Sequence, residues 1–382
     1  MNKLIFISEM RDPYINASST QIMTRNILKG FCDNCKDVTF VAIIEANVSK
    51  ENIKTYYNGL YTRLIFVSDI TKNRRTRLKG MLSMVWHTAA NQGAKNIEDI
   101  CKLIDDDTVL VSHSPSIDSI LLCRAIKRKV PKVRYIQYWS DPITLALISP
   151  KDYSLKRLPF FWVENRLHKS ADAIVYGTKS LYVGQKSLFK KYSKKMAYCD
   201  VSYCIDNEIA DNDPSANKKE LLFGYFGGYN SNVRDIRQLY SAFDGGEGKL
   251  LICGNGDIAL AERSNIEVLN RVPQSEIASL EASADVYICI LNKHGIQIPG
   301  KVFYLTDSDK YILVICDGDY KKMIREYLSS FKRFIFCENT IDDIRRTIKE
   351  INMGQHSIDK SELYRLSPKY VSKSIIDGGF KE

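Results

Sequence analysis

The sequence lacks several features that common classes of protein require. No apolar run approaches the roughly 20 residues of a transmembrane helix, and the first apolar run, 4–7, is too short for the core of a signal peptide. Helix-turn-helix, zinc-finger and aromatic RNA-recognition motifs are also missing. These absences predict a cytoplasmic protein that neither spans a membrane nor binds nucleic acid.

Histidine is scarce, and the cysteines are not arranged as metal ligands. The chain has five histidines and ten scattered cysteines in 382 residues. Cys32 and Cys35 form a C-x-x-C pair, but no second pair or nearby histidine completes a zinc site. Cys253, Cys289 and Cys316 lie within apolar runs, where a reduced thiol behaves as a small hydrophobic group. We therefore expect buried thiols and no metal site.

The remaining composition is typical of a globular protein with two domains. Hydrophobic residues make up 45% and charged residues 26% of the chain, which argues against wholesale disorder. The charge is unevenly divided, because residues 1–200 have a net charge of +14 and residues 201–382 a net charge of −4. The basic half suits an anionic partner, for which a membrane surface fits better than nucleic acid. A chance excess of surface charge is the alternative.

Two series of strand-like runs alternate with helical stretches and indicate two parallel sheets. The runs are 3–8, 38–44, 63–68, 108–113, 133–139 and 173–177, then 221–228, 249–257, 286–291 and 311–315. After the first run we expect a polar loop over 9–20 and a helix that starts near Ser19.

The polar segment between the two series predicts the division into domains. Residues 206–220 contain Asn, Asp, Pro and Ser, which is typical of a linker. The predicted N-terminal domain therefore covers 1–205 and the C-terminal domain 221–363. The last segment, 364–382, is suited to a helix that crosses back to the N-terminal domain.

The segment 284–315 has the pattern of a strand, a loop, a helix and a second strand. Its apolar runs, 286–291 and 311–315, have the continuity of parallel strands that are buried on both faces. The loop between them carries His294, Gln297, Pro299, Gly300 and Lys301. Proline suits the first turn of a helix, and a helix N-terminus at the carboxyl ends of parallel strands offers N–H groups to an anion. The segment is typical of half of a nucleotide or sugar-phosphate site.

This segment resembles the donor-binding segment of bacterial retaining glycosyltransferases of the GT-B fold, the group that includes family 4. The shared order is apolar strand, short loop, P-x-K-[VL]-[FY], helix and K-x-I-L-[AV], written here as PGKVFY at 299–304 and KYILV at 310–314. In the family the helix usually carries an acid that contacts the donor ribose, and Tyr304 stands at that position. Asp309 and Tyr311 replace the family's Gly and Pro. The resemblance implies an α/β protein of the GT-B fold, with two Rossmann-like domains facing each other across a cleft.

A glycine pair early in the second series also resembles the family's donor-phosphate loop, G-[GR]-x(n)-[RK]. Gly227 and Gly228 follow the first strand of this series, and Arg234 lies near the start of the next helix. Glycines at such a turn let backbone amides approach a diphosphate, and arginine adds a cation with fork geometry. Lys301 would supply a second cation and stabilise charge on the leaving group. A plain glycine turn with a surface arginine is the alternative.

With two cations for the diphosphate, the site requires neither a metal nor a cofactor. The nearest D-x-D, at 317–319, is more typical of a solvated turn. The resemblance implies a UDP- or GDP-sugar as the donor, and we predict that its binding residues are Gly227, Gly228, Arg234, His294, Gln297, Gly300, Lys301 and Tyr304.

Two residues of the N-terminal domain are candidates for the reacting centre. His113 ends a predicted central strand, where a neutral imidazole is suited to bind a sugar hydroxyl. Asp141 follows the next strand and is suited to accept a proton or to orient His113. The alternatives are a structural histidine and an aspartate that caps a helix.

Two stretches combine basic clusters with apolar and aromatic residues, 71–89 and 155–169. Such helices lie at a bilayer interface, with their cations on anionic lipid. They predict a protein that is peripheral at the inner face of the cytoplasmic membrane and acts on a lipid-linked acceptor. An ordinary helix packed on the sheet is the alternative for each stretch.

These features together predict a glycosyltransferase that moves a sugar from a nucleotide diphosphate to a lipid-linked or growing surface polysaccharide, such as capsule or O-antigen. Retention of anomeric configuration follows from the resemblance alone. A non-catalytic GT-B subunit is one alternative, favoured by Tyr304, Asp309 and Tyr311. A GT-B nucleotide-sugar 2-epimerase is less favoured, because such enzymes use several carboxylates and histidines.

Overall fold

The computed structural model describes residues 2–15, 19–68, 94–114, 117–145, 157–203 and 220–381. The described chain divides into two compact units. Unit 1 contains the described residues up to 203 together with 365–381, and unit 2 contains 220–364. The predicted linker, 206–220, lies outside the described residues except for its last position.

Unit 1 is built on a seven-stranded parallel sheet with the order β3-β2-β1-β4-β5-β6-β7. Its strands are β1 (Lys3–Met10), β2 (Asp37–Ile44), β3 (Arg63–Ser68), β4 (Thr108–Ser114), β5 (Arg134–Trp139), β6 (Ala173–Tyr176) and β7 (Met196–Tyr198). Its helices are α1 (Ser19–Asn34), α2 (Lys50–Tyr56), α3 (Ala94–Cys101), α4 (Ile117–Lys129), α5 (Arg157–His168) and α6 (Lys179–Leu188), with a 3-10 helix at Lys190–Lys195.

Unit 2 is built on a six-stranded parallel sheet with the order β10-β9-β8-β11-β12-β13. Its strands are β8 (Leu222–Phe226), β9 (Lys249–Cys253), β10 (Ile266–Leu269), β11 (Val286–Ile290), β12 (Tyr311–Cys316) and β13 (Ile335–Glu338). Its helices are α7 (Arg237–Phe243), α8 (Gln274–Ser283), α9 (Lys301–Tyr304), α10 (Lys321–Ser329) and α11 (Ile341–Asn352).

The central strands follow from the sequence because they are apolar at successive positions. Helices cover both faces of a parallel sheet, so inner strands have no polar face. In β4 and β11 every residue is buried. The predicted order of strand, loop, helix and strand in 284–315 is confirmed by β11, α9 and β12.

Three strands, β7, β10 and β13, are absent from the sequence-based set. They have three or four residues each, and each lies at an edge of its sheet. Neighbouring strands and helices cover an edge strand less completely than an inner one, so fewer of its residues need to be apolar. A short edge strand is therefore hard to recognise from the sequence. The first strand is also longer than predicted, because β1 continues to Met10 and includes Glu9, which pairs with Ile43.

The cysteines and the helix lengths agree with the sequence-based expectations. Cys253, Cys289 and Cys316 are buried free thiols. Among the residues that the structure describes, no helix is both long enough and apolar enough to cross a membrane.

The end of the chain packs in unit 1 as a helix, α12 (Pro368–Asp377), against α1. Asn34 of α1 donates hydrogen bonds from Nδ2 to the Lys369 carbonyl and to Ser372 Oγ, at 2.8 and 2.9 Å. The two backbones approach closely at Gly30, where an added Cβ would lie 1.9 Å from the Pro368 carbonyl oxygen. Position 30 has no room for a side chain, so glycine is required there.

We predict that Gly30→Ala destabilises unit 1 by about 2 kcal/mol, as expected for overpacking at a rigid contact. Alanine normally stabilises a helix interior relative to glycine by about 1 kcal/mol. Here the clash with Pro368 should outweigh this gain, and the substitution should lower the free energy of unfolding. Urea unfolding followed by circular dichroism measures the change. An unchanged or higher free energy of unfolding would show that α12 is not held at this contact.

Candidate functional site

The candidate site lies at the carboxyl ends of β8, β9 and β11 in unit 2. From β8 the chain continues to β9 and β10 on one side of the sheet, whereas β11, β12 and β13 lie on the other side. The strand order therefore reverses between β8 and β11. In open α/β sheets, ligands bind at such a reversal.

Two glycine-containing loops meet at this edge of the sheet. The Gly227 N–H donates to the Cys253 carbonyl at 2.9 Å, and the Tyr229 N–H donates to the Asn255 carbonyl at 3.1 Å. A Cβ at Gly254 would lie 2.0 Å from the Gly227 carbonyl oxygen. Because the two loops approach closely, only glycine fits at position 254. Gly228 is exposed at the end of β8.

Arg234 is presented by a turn that is closed by its own backbone. The Arg234 N–H donates to the Asn230 carbonyl at 2.7 Å, and the Asn230 N–H donates to the Arg234 carbonyl at 3.1 Å. On one side the turn is tied to Asp257, whose carboxylate accepts from the Ser231 N–H at 2.9 Å and from its hydroxyl at 2.5 Å. Arg234 therefore extends from a fixed backbone.

On its other side the same turn is tied to Lys293, which follows β11. The Lys293 N–H donates to the Val233 carbonyl at 2.7 Å. Its Nζ donates to the Ser231 carbonyl at 2.7 Å and to Asp235 Oδ2 at 2.9 Å. Hydrogen bonds from Arg237 and Lys293 hold the pKa of Asp235 well below its usual value. These contacts fix the β8 and β11 loops relative to each other.

The helix after the glycine loop starts later than predicted. The sequence places Arg234 near the start of a helix, but α7 begins at Arg237. The turn at 230–234 and the side chain of Asp235, which accepts from the Arg237 N–H at 3.2 Å, occupy the intervening residues. Arg234 therefore lies in a turn and not in a helix.

Lys301 is the first residue of α9, and Pro299, expected from the sequence in the first turn of this helix, lies just before it. Its side chain lies along Gly227, because a Cβ at that glycine would be 3.7 Å from Lys301 Cε and 3.9 Å from Nζ. Burial lowers the pKa of Lys301, the carboxylate of Glu281 opposes this effect, and the positive charge of Arg234 adds to it. Arg234 and Lys301 thus act on each other electrostatically, and we call this pair the cationic cluster.

The helix that carries Lys301 has four residues, so the fold must hold it in another way. Arg333 is buried and donates to three carbonyls of the segment that follows α9. The acceptors are Thr306, Ser308 and Lys310, at 2.6, 2.7 and 2.6 Å. A guanidinium bound to three backbone oxygens fixes this segment and, through it, the position of Lys301.

The other residues predicted to bind the sugar donor each lie in different surroundings. His294 is partly exposed, with Nδ1 3.2 Å from Asp319 Oδ2. The Gln297 carbonyl accepts from Asn292 Nδ2 at 3.0 Å. Gly300 directly precedes α9 in helical conformation. The Tyr304 side chain lies outside the described part of the structure.

In unit 1, His113 is fully buried. Its Nδ1 lies 3.1 Å from Ser8 Oγ and 3.2 Å from Thr24 Oγ1. Its ring stacks with Phe6 and Tyr138, with centroid distances of 6.0 and 5.2 Å. His113 lies at the end of β4 as expected, but α1, which carries Thr24, covers this face of the sheet. A catalytic role for His113 stays a prediction, which burial disfavours.

Asp141 is half-buried beyond the end of β5. Its carbonyl accepts from Ser114 Oγ at 2.9 Å, and its carboxylate accepts from Ser140 Oγ at 3.3 Å. The described residues around it contain no helix that Asp141 caps, since the next described helix is α5. Both its catalytic role and its capping role stay predictions.

The sequence-based reasoning missed Glu281, Lys293 and Arg333. None of the three matches a motif position, although Lys293 lies within the 284–315 segment, and each acts on the site through contacts with other parts of unit 2. Within the described residues no group of three or more His, Cys, Asp or Glu could hold a metal ion, and the D-x-D at 317–319 is part of no such group. Independence from metal stays a prediction.

The burial of His113 generates a prediction about pH. Burial lowers the pKa of His113 to about 3 from its usual 6.5, so below about pH 6.5 the unfolded chain binds a proton that the folded chain does not. Folding stability should fall on acidification, by about 2 kcal/mol at pH 5 for this residue.

We therefore expect the loss of stability between about pH 8 and about pH 5 to be smaller in His113→Phe by about that amount. Phenylalanine keeps the stacking and does not titrate. Urea unfolding of both proteins at several pH values measures this difference in stability. His168 is buried in both proteins, so its contribution is the same in each and does not affect the comparison. If the free energies of unfolding of the two proteins change equally with pH, His113 is not a neutral, buried residue in the folded protein.

No family model matches the chain, and no curated protein matches it in sequence. Solved structures are similar over nearly its whole length. The lipopolysaccharide outer core galactosyltransferase WaaB has a TM-score of 0.57 at 10% identity, with 98% of this chain and 99% of WaaB covered. Sucrose-phosphate synthase from Thermosynechococcus elongatus also has a TM-score of 0.57 at 10% identity, with 100% and 95% covered. S. aureus MnaA, solved with UDP, has a TM-score of 0.52 at 11% identity, with 98% and 95% covered.

At these identities the similarity shows the fold and leaves the substrate open. The two parallel sheets and the similarity along the chain confirm the predicted pair of Rossmann-like domains. The narrower likeness to family 4 stays a prediction. The chain has the two-domain, Rossmann-like fold of the GT-B glycosyltransferases.

Proposed function

We propose that unit 2 binds a nucleotide diphosphate sugar, of the UDP or GDP class, and that the protein transfers the sugar to an acceptor. The observation that carries the proposal is the cationic cluster of Arg234 and Lys301 beside Gly227 and Gly228. Its position at the reversal of strand order is where α/β sheets bind ligands. Two cations and the exposed backbone at Gly228 suit a diphosphate.

The cluster also suits the chemistry of sugar transfer. When the bond from the sugar to the diphosphate breaks, negative charge develops on the diphosphate oxygens. Cations that are already in place stabilise this charge without reorganisation. Such a site does not require a metal ion. Retention of anomeric configuration remains part of the proposal, resting on the sequence resemblance.

The similar structures support this choice of ligand class. By their names, WaaB is a galactosyltransferase and MnaA was solved with UDP. A structure named as a putative UDP-N-acetylglucosamine 2-epimerase from Listeria monocytogenes is also similar, with a TM-score of 0.50. The fold therefore leaves a 2-epimerase as an alternative, although His113, the histidine predicted for the reacting centre, is fully buried.

A non-catalytic subunit that binds a nucleotide sugar or a partner enzyme is the second alternative. The residues that depart from the family pattern favour it. Asp309, in place of glycine, forms an ion pair with Lys360 at 2.7 Å, and Tyr311, in place of proline, begins β12. Both residues have structural roles here, so the departures do not by themselves abolish donor binding.

We further propose that the acceptor is lipid-linked, as in capsule or O-antigen synthesis, and that unit 1 contacts an anionic membrane surface. The stretch 71–89 lies outside the described residues, but α5 covers much of 155–169. Trp162 on α5 is 41% exposed. Phe161 stacks with Phe189 at 4.8 Å, which places α5 beside the segment after α6.

That neighbouring segment is strongly basic. Residues 189–195 contain four lysines and no acidic residue, and Lys190, Lys191 and Lys194 are exposed. Each lysine near an anionic bilayer contributes about 1 kcal/mol of attraction. A tryptophan side chain prefers the headgroup region. Exposed lysines and a tryptophan on neighbouring elements are the residue types that suit anionic lipid.

The first test of the donor site is release of nucleoside diphosphate from a panel of UDP- and GDP-sugars, with and without EDTA. We expect release from one donor that EDTA does not reduce and that Lys301→Ala and Arg234→Ala each lower by about tenfold to a hundredfold, because each removes a charge contact with the leaving group.

Lys249→Ala is the matched control, because Lys249 is an exposed lysine at the amino end of β9. Since hydrolysis without acceptor is slow in many transferases, the same compounds are also tested for binding by calorimetry. Binding without turnover would favour the non-catalytic subunit. Absence of both would overturn the proposed donor site.

The membrane proposal predicts co-sedimentation with phosphatidylglycerol vesicles but not with phosphatidylcholine vesicles. Replacing Lys190, Lys191 and Lys194 together by alanine should lower partitioning about a hundredfold, since three lysines are lost at about 1 kcal/mol each. The control replaces three exposed lysines of unit 2 by alanine, at 249, 322 and 349. Equal partitioning of the two variants would contradict this surface.

A further inference from the structure

Glu281, on the last turn of α8, places a carboxylate beside Lys301 of the cationic cluster. Its Oε1 lies 3.9 Å from Lys301 Nζ. The Glu281 side chain is 26% exposed and that of Lys301 43% exposed, so both are reachable from solvent and both are partly withdrawn from it. Within the described chain no hydrogen-bond donor reaches the carboxylate.

The distance between Glu281 and Lys301 is too long for a hydrogen bond, which needs about 3 Å between the heavy atoms. Closed ion pairs of unit 2 include Lys360 with Asp309 at 2.7 Å, whereas Lys332 and Glu362 are as far apart as this pair, at 4.0 Å. At 3.9 Å, Glu281 and Lys301 attract each other without a hydrogen bond between them. Both groups therefore keep hydrogen-bonding capacity for a ligand.

The position of Glu281 is fixed by the backbone around it. The Tyr287 hydroxyl donates to the Glu281 carbonyl at 2.6 Å. Lys310 Nζ donates to the Ala282 and Ala284 carbonyls and, at 3.3 Å, to that of Glu281. The last turn of α8 is therefore anchored, which keeps the backbone of Glu281 in place beside Lys301.

Burial raises the pKa of Glu281, and the ammonium of Lys301 opposes this effect. A partly buried carboxylate without a hydrogen-bond donor is unfavourable. A ligand that carries both an anionic group and a hydroxyl would satisfy the two residues together. Nucleoside diphosphates and their sugar conjugates have this combination.

We propose that Glu281 is a hydroxyl-binding residue of the donor site: its carboxylate accepts a hydrogen bond from a hydroxyl of the ligand whose diphosphate contacts Lys301. The inference rests on the proposed donor site in unit 2. The hydroxyl belongs to the ribose or to the transferred sugar, and both sources share this chemistry. Glu281 lies on α8, outside the 284–315 segment.

The test compares pyrophosphate, which has no hydroxyl on carbon, with UDP, GDP and their glucose conjugates, by calorimetry on the full chain. For the nucleotide that the wild type binds, Glu281→Ala should weaken binding about tenfold, because a hydrogen bond to a charged group is lost. Glu281→Gln keeps an acceptor without the charge and should show a smaller loss. Pyrophosphate should bind both variants as tightly as the wild type or more tightly, since a negative charge near the anion is removed.

Glu276→Gln, an exposed glutamate on the same helix, is the matched control and should change neither affinity. An equal loss for UDP and UDP-glucose, or for the GDP pair, assigns the hydroxyl to the ribose. A loss confined to the glucose conjugate assigns it to the sugar.

The proposal fails if the Glu281 variants bind the nucleotide as well as the wild type does, or if they bind pyrophosphate and nucleotide more tightly by the same factor. The second result would make Glu281 a counterion only. Wild-type protein that binds pyrophosphate but no nucleotide would also overturn it, whereas wild-type protein that binds none of the compounds would overturn the donor site itself.

Discussion

The candidate site depends on holding two like charges, Arg234 and Lys301, near each other at one edge of a parallel sheet. Burial, and to a smaller extent the positive charge of Arg234, lowers the pKa of Lys301, so its charged form is unfavourable in the free protein. A bound anion would turn this arrangement into a favourable one. The surrounding contacts keep the two cations in place before any ligand arrives.

These contacts use backbone carbonyls and carboxylates as fixed anchors. Lys293 and Asp257 tie the turn of Arg234 to the loops after β11 and β9, and Arg333 ties down the segment after the one-turn helix of Lys301. Because each anchor comes from a different loop, the cluster is a product of the whole β8–β13 sheet. Such preorganisation is what electrostatic stabilisation of a leaving group requires.

The parts of the structure that the sequence predicts well are those with local signals. Central strands such as β11 are apolar throughout because both faces are covered, and Pro299 with Gly300 marks the start of α9 at Lys301. Glu281 and Lys293 could not be found in this way, because their roles depend on loops brought together by the sheet. The burial of His113 could not be read from the strand pattern for a related reason, because it depends on α1, a separate element that covers the end of β4.

The most direct measurement of the central claim is a crystal structure of the protein with bound UDP or GDP. The account predicts a diphosphate within hydrogen-bond distance of Lys301 Nζ and of the Arg234 guanidinium, over Gly227 and Gly228. A nucleotide bound elsewhere on unit 2, with both cations turned away from its phosphates, would contradict the assignment of this cluster as the donor site.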